Sequence, residues 1–247
     1  MADYVLSVTE HRPYPLPRRP WIMTMTWHDL LFAHWPVPVE QLRPLVPEVL
    51  SLDTFDGNAW VAVTPFHMSG VGPRGLPSIP GLSAFPELNV RTYVTLDGRP
   101  GVFFFSLDTP NLPAVWGARI FYRLPYFLAQ IKVQVGAEEV LYLCRRIHGA
   151  RPAEFQGRYR PVSTARIPLP GTLEHFLVER YCLYAVDGDR AYRAEIHHLP
   201  WPLQEAEAAI EKNTMALAAG IHLPDRPPLL HFARELKVLV WAPLRVR

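Results

Sequence analysis

Glu87-Leu88-Asn89-Val90-Arg91-Thr92-Tyr93-Val94 reads as a β-strand, and a strand sends alternate side chains to opposite faces. One face then carries Glu87, Asn89, Arg91 and Tyr93; the other carries Leu88, Val90, Thr92 and Val94. The flanks are apolar. Phe85-Pro86 precedes the stretch, and Gly101-Val102-Phe103-Phe104-Phe105-Ser106 follows it after Asp97-Gly98. Asp-Gly between two such runs is a strong hairpin signal, so the two strands are expected to be antiparallel neighbours. A strand buried on both faces holds a carboxylate and a guanidinium only if they are paired or line a cavity. The polar row is therefore expected to face a ligand pocket, the alternative being a hydrogen-bonded network that fixes register or a subunit contact.

The rest of the chain alternates in the same way. Met23 to His34 reads as a long first strand, Ala59 to Val63 as another, and Ala129–Val135 with Glu139–Ile147 as a pair. Asp187-Gly188-Asp189 marks a second hairpin. Short helices are expected near Pro38–Val46, Pro113–Tyr122 and Leu173–Glu179, and a longer one from Pro202 to Gly220, where Leu203, Ala206, Ile210 and Leu217 fall near one stripe. Residues 70–86, rich in Gly, Pro and Ser, are expected to form a loop. Hairpins with interspersed helices point to an α+β fold, mainly antiparallel β, and disfavour a doubly wound parallel sheet. The expected organisation is an extended N-terminal arm over 1–22, lying on the surface, and one domain over 23–247.

Composition narrows the function classes. The 247 residues are 49% hydrophobic and 19% charged, enough apolar content for a sizeable core, and the net charge of +2 offers no footprint for nucleic acid. The 27 prolines fall in short clusters that punctuate a folded chain. The two cysteines, Cys144 and Cys182, sit among apolar residues and are expected to be buried free thiols. Met1 to Arg19 lacks the apolar core of a signal peptide, and no apolar run is long enough to span a membrane. A cytoplasmic protein without membrane contact is expected.

Familiar catalytic motifs fail on context. Gly70-Val71-Gly72-Pro73-Arg74-Gly75 matches G-x-G-x-x-G, but Leu-Pro-Ser-Ile-Pro-Gly follows where a phosphate-binding helix would have to begin. The ten histidines show no metal-ligand spacing, and His28 and His34, expected on one strand face, are too far apart to share an ion. Neither a metal nor a cofactor is expected. No serine lies in a G-x-S-x-G elbow, and the three lysines, Lys132, Lys212 and Lys237, offer few routes to an imine. Arg91 remains, a permanent planar cation suited to a carboxylate or phosphate.

Trp27-His28-Asp29-Leu30-Leu31-Phe32-Ala33-His34-Trp35, Leu52 to Gly57, Glu87 to Val94, Phe104 to Asp108, Leu124-Pro125-Tyr126 and Pro200 to Leu203 together resemble the YqjF-like proteins, the DUF2071 family. The likeness runs over nearly the whole chain. That family looks like a relative of the acetoacetate decarboxylase superfamily, which implies a cone-shaped antiparallel barrel with an internal pocket, flanked by a few helices. Acetoacetate decarboxylases carry Gly-Arg-Glu-Ile-Trp-Gly-Tyr-Pro-Lys-Lys-Leu-Ala, whose first lysine forms a Schiff base and whose second depresses its pKa. The matching stretch here, Ala118 to Ala129, retains Arg119, Pro125, Leu128 and Ala129, with Tyr126 and Phe127 at the lysine positions. A phenol forms no imine, so decarboxylation by that route is not implied.

The sequence thus leads to a small-molecule site without a Schiff base, for a small carboxylate-bearing ligand. Arg91 is expected to hold the carboxylate, Glu87 to act as general acid or base, and Tyr126 to add a donor at the reacting centre. Asn89, Tyr93, Arg119 and Tyr122 are the expected ligand contacts. A non-catalytic binding protein with a largely apolar cavity is the alternative, and an assembly role a third. The resemblance further implies a homo-oligomer, dimer or larger.

Overall fold

The structure, a computed structural model, describes residues 2–149 and 151–247; Met1, where the expected arm begins, and Ala150 lie outside the described residues. The strands are β1 (Met23–Val37), β2 (Ser51–Leu52), β3 (Ala59–Pro73), β4 (Phe85–Leu96), β5 (Arg99–Thr109), β6 (Tyr126–Val135), β7 (Val140–Arg146), β8 (Glu154–Pro161), β9 (Cys182–Asp187), β10 (Arg190–His197), β11 (Gln204–Asn213), β12 (Leu229–Val240) and β13 (Leu244–Arg245). The α-helices are short: α1 (Ala2–Ser7), α2 (Val39–Leu42), α3 (Leu112–Gly117), α4 (Leu173–Val178) and α5 (Met215–Ala218). A π-helical turn over Ala118–Tyr122 extends α3.

β4 lies between β3 and β5, antiparallel to both. From β5 the sheet continues through β6, β7, β8, β11, β12 and β1 back to β3, so it closes on itself. A second path, from β5 through β9 and β10 to β12, closes a smaller ring on the same wall. Most pairings are antiparallel, whereas β6 and β9 both run parallel to β5, so the sheet is mixed. The Asp97-Gly98 turn joins β4 to β5 with φ of 52° and 71°, the left-handed pair that a tight hairpin needs.

The wall shared by the two rings explains why β1, β3 and β4 are buried on both faces. Leu31, Ala33, Val61, Val63, Leu88 and Val90 enter one core with Tyr142, Phe155 and Phe232. Leu30, Phe32, Phe66, Met68 and Tyr93 enter the other with Phe104, Leu107 and Trp201. The apolar row of β4 thus faces the first core and its polar row the second. Alternation breaks once in β1, at Asp29 (φ 48°). The extra residue puts Leu30 and Phe32 on the same side as Trp27. His28 and His34 therefore do not share a face as expected. His28 bonds Ser69 at 2.8 Å, while His34 is buried against Tyr93 at 2.8 Å.

Four further expectations change. The helix from Pro202 to Gly220 is instead β11 followed by α5. Its Ala and Glu residues are strong helix formers, but Ala206, Ala208 and Ile210 point inward at every second position, and pairing with β8 selects the extended form. The loop over 70–86 shortens to residues 74–84, because β3 runs on to Pro73 and β4 begins at Phe85. The strand expected over Leu236–Trp241 is the end of β12, which starts at Leu229 and stops at Val240. The N-terminal arm is neither wholly extended nor merely superficial. Ala2–Ser7 is helical, and Arg12 is tied into the fold by the carbonyl of Ile196 at 2.8 Å and by Glu195 at 3.7 Å.

Where β9 meets β5, the approach is close enough to require glycine. A Cβ on Gly101 would lie 2.6 Å from Cys182 Sγ and 2.7 Å from the Cys182 carbonyl oxygen. Backbone on the far side leaves little room to yield. Gly101→Ala is therefore expected to lower stability by about 1–3 kcal/mol, the cost of overpacking, as measured by urea denaturation. Gly117, with open space around it, should accept alanine with little loss.

Candidate functional site

A cavity of about 570 Å³ opens inside the smaller ring. Its wall is built from alternate residues of neighbouring strands: Met23 and Met25 of β1, Thr64, Phe66 and Met68 of β3, and Glu87, Asn89 and Arg91 of β4. Leu107 and Phe104 of β5 and Tyr126 of β6 complete the inner part, and Leu82 and Phe121 stand at the rim. Glu87 and Arg91 are the charged residues in an otherwise largely apolar lining.

Both charges are buried, with Glu87 3% and Arg91 9% exposed. Glu87 Oε2 accepts a 2.6 Å hydrogen bond from the Tyr126 hydroxyl. Burial pushes the Glu87 acid up to about 7, against hydrogen bonds from Tyr126 and Asn89 and with a further upward push from Asp108. Burial also raises the Tyr126 phenol well above its usual range, reinforced by Glu87, so Tyr126 remains a donor at neutral pH.

Arg91 is unlike the other buried cations. Arg12, Arg146 and Arg180 each meet a carboxylate, whereas Arg91 has no ion pair among the described residues. Its Nε is buried without a hydrogen-bond partner, and its guanidinium carbon lies 5.4 Å from the centre of the Phe32 ring. Asn89 Oδ1, Thr64 Oγ1 and the Tyr122 hydroxyl also lack partners, and all three residues line the cavity.

The elements that aim Tyr126 are themselves braced. β6 starts parallel to β5, with Leu107 opposite Tyr126 and Asp108 opposite Phe127. Asp108, fully buried, takes two hydrogen bonds from Arg146, at 2.7 and 2.8 Å. The same guanidinium lies 3.8 Å from the centre of the Phe127 ring. Phe127 is thus packed away from the cavity while its neighbour Tyr126 enters it.

Two expected ligand contacts are placed elsewhere. Arg119 is exposed, bonded to the Tyr126 carbonyl at 2.7 Å and leaning on Phe127; the π-helical turn carries it outside the lining. Tyr93 is fully buried beneath the site, its hydroxyl on His34 and its ring against Phe176. Glu87, Asn89, Arg91, Tyr122 and Tyr126 do converge on the cavity. Sequence reading missed the contributions of β1 and β3, although the every-second-residue row Met23, Met25, Trp27 carried the signal. None of the three lysines lines the cavity; Lys132 borders a separate groove and Lys212 pairs with Glu154. Among the described residues, no three His, Cys, Asp or Glu side chains are gathered to hold a metal ion.

Comparison with known proteins agrees with the architecture. The chain is similar to the enduracididine biosynthesis enzyme MppR in complex with pyruvate, with a TM-score of 0.64 and 11% identity over 95% of this chain and 93% of that one. It is also similar to acetoacetate decarboxylase from Legionella pneumophila, with a TM-score of 0.62 and 14% identity over 100% and 95% of the two chains. At such identities the likeness establishes the acetoacetate decarboxylase-like fold and no more. The uncharacterised protein YqjF of Bacillus subtilis (strain 168) is 49% identical over 225 residues, 91% of this chain and 92% of that protein. The model of DUF2071, an uncharacterised conserved protein family, matches residues 24–237, and the chain belongs to that family.

Proposed function

We propose that the chain binds a small carboxylate-bearing molecule in the cavity of the smaller ring and moves a proton on it without a covalent intermediate. The observation that carries this reading is Arg91, a buried guanidinium with no carboxylate opposite it. A ligand carboxylate supplies the missing partner, in the two-pronged geometry that a guanidinium fork favours. That MppR holds pyruvate, itself a carboxylate, is consistent with this choice.

Glu87 is the proton carrier in this reading. An acid near 7 is close to half protonated at neutral pH and exchanges a proton with little driving force in either direction. Tyr126 donates its one proton to Glu87 at 2.6 Å and so fixes the orientation of the carboxyl in the cavity. Asn89 and Tyr122, with unpartnered polar atoms, orient the ligand. With a tyrosine and a phenylalanine at the two positions where the decarboxylase motif has lysine, imine chemistry is not available there. The apolar lining favours a second reading, simple binding, and continued conversion of ligand by substoichiometric protein separates the two.

The reading extends to assembly and location. Trp116, Ile120 and Phe121 are large apolar side chains left exposed on the crossover from β5 to β6, which supports a homo-oligomer, dimer or larger. Two buried free thiols suit a reducing compartment, and no helix among the described residues is long and apolar enough to cross a membrane; a cytoplasmic location is proposed.

Arg91→Ala should weaken binding of carboxylate ligands about 10- to 100-fold, the loss of one charged hydrogen-bonded contact, in calorimetric titration; undiminished affinity contradicts the anchor. Glu87 yields a pH test. Its folded-state pKa lies above the unfolded value, so its contribution to stability is full below about pH 4.5 and is lost as pH rises through about 7. Relative to Glu87→Gln, the wild-type protein should lose roughly 3 kcal/mol across that window, followed by chemical denaturation at each pH. A constant difference would place the acid at an ordinary pKa. Light scattering after gel filtration should give a multiple of 28.2 kDa, and a 28.2 kDa particle would exclude the oligomer.

A further inference from the structure

The cavity is larger and more apolar than a three- or four-carbon acid requires. We propose that its ligand is an amphipathic carboxylate, a medium-length acyl or arylalkyl acid, with its head on Arg91 and its apolar body running past Tyr126 to the mouth. This rests on Arg91 as the anion anchor.

Three observations carry it. The first is length. Glu87 and Arg91 are four residues apart on one face of β4, about 13 Å by strand rise, and the Arg91 guanidinium leans toward Phe32 at 5.4 Å. A ligand that meets Arg91 and also passes the Glu87–Tyr126 pair is therefore on the order of 10 Å long by the same strand rise. The outer wall continues beyond Glu87 through Phe85 on β4 and through Met25 and Met23 on β1.

The second is lining. Beyond Glu87 and Tyr126 the wall is made mainly of apolar groups, among them Met23, Met25, Met68, Trp27 and Phe85. A small acid seated on Arg91 would leave these surfaces against water, whereas an apolar body covers them at the usual gain for each buried methylene. The third is adaptability. Three of the wall residues are methionines, which refit to ligands of differing shape. Arg91 at the inner end fixes the head, and the methionines accept variation in the tail.

The test is a homologous series of straight-chain carboxylates, from acetate to decanoate, titrated calorimetrically into the wild-type chain and Arg91→Ala. Affinity should rise about fourfold per methylene until the cavity is filled, and fall uniformly along the series in Arg91→Ala. Methionine-methyl NMR needs no variant: octanoate should shift the Met23, Met25 and Met68 methyl signals, and acetate should leave them in place. Affinity that is flat along the series but lost in Arg91→Ala overturns the amphipathic ligand and leaves the anion anchor standing. A chain-length dependence of the same size with no loss in Arg91→Ala removes the anchor and leaves the apolar cavity as a site for tails alone. Tight octanoate binding with unmoved methionine signals places the tail outside this cavity and overturns the proposal.

Discussion

Arg91 carries a charge that proteins do not neutralise by deprotonation, and among the described residues no carboxylate meets it. Burying such an ion costs several kcal/mol after relaxation. The fold meets part of that cost with the Phe32 ring and leaves the Nε without a partner. The arrangement persists because β4 is held on both sides. Leu88 and Val90 are locked in the first core, so with a side-chain period of two Glu87, Asn89 and Arg91 must enter the second. A slip of one residue would put the charges into the first core and the leucine and valine into the cavity. The polar site is thus a consequence of register, and register is fixed by the apolar row behind it.

From that constraint the rest of the site follows. The parallel start of β6 beside β5 brings Tyr126 across the cavity to Glu87, and the Asp108–Arg146 pair with Phe127 holds that start in place. What remains is a fixed cation, an acid that titrates near neutrality and a donor that stays protonated. The proposed recognition of an anion and exchange of a proton rest on these groups.

How much of this could be read from the residues depended on range. The β4–β5 hairpin, with Asp97-Gly98 between two alternating runs, was legible because its signals are local, and the pocket-facing row followed from the same alternation. The family motifs extended that to the acetoacetate decarboxylase-like fold. β11 was not legible, because Gln204–Asn213 is rich in helix formers and only its pairing with β8 makes it a strand. The placement of His28 relative to His34 failed at one residue, Asp29, whose left-handed backbone resets the alternation. Tyr93 was expected in the lining from the alternation of β4 and Arg119 from the family motif, and the structure places both outside the lining. The first lies too deep, and a π-helical turn carries the second outward.

A crystal structure of the chain with octanoate bound would test the role of Arg91 most directly. The carboxylate should lie against the Arg91 guanidinium, with the chain passing between Glu87–Tyr126 and the β3 wall and its end among Met23 and Met25. A carboxylate at the rim with the chain reversed, or a ligand seated outside the cavity with Arg91 still unpartnered, would contradict it.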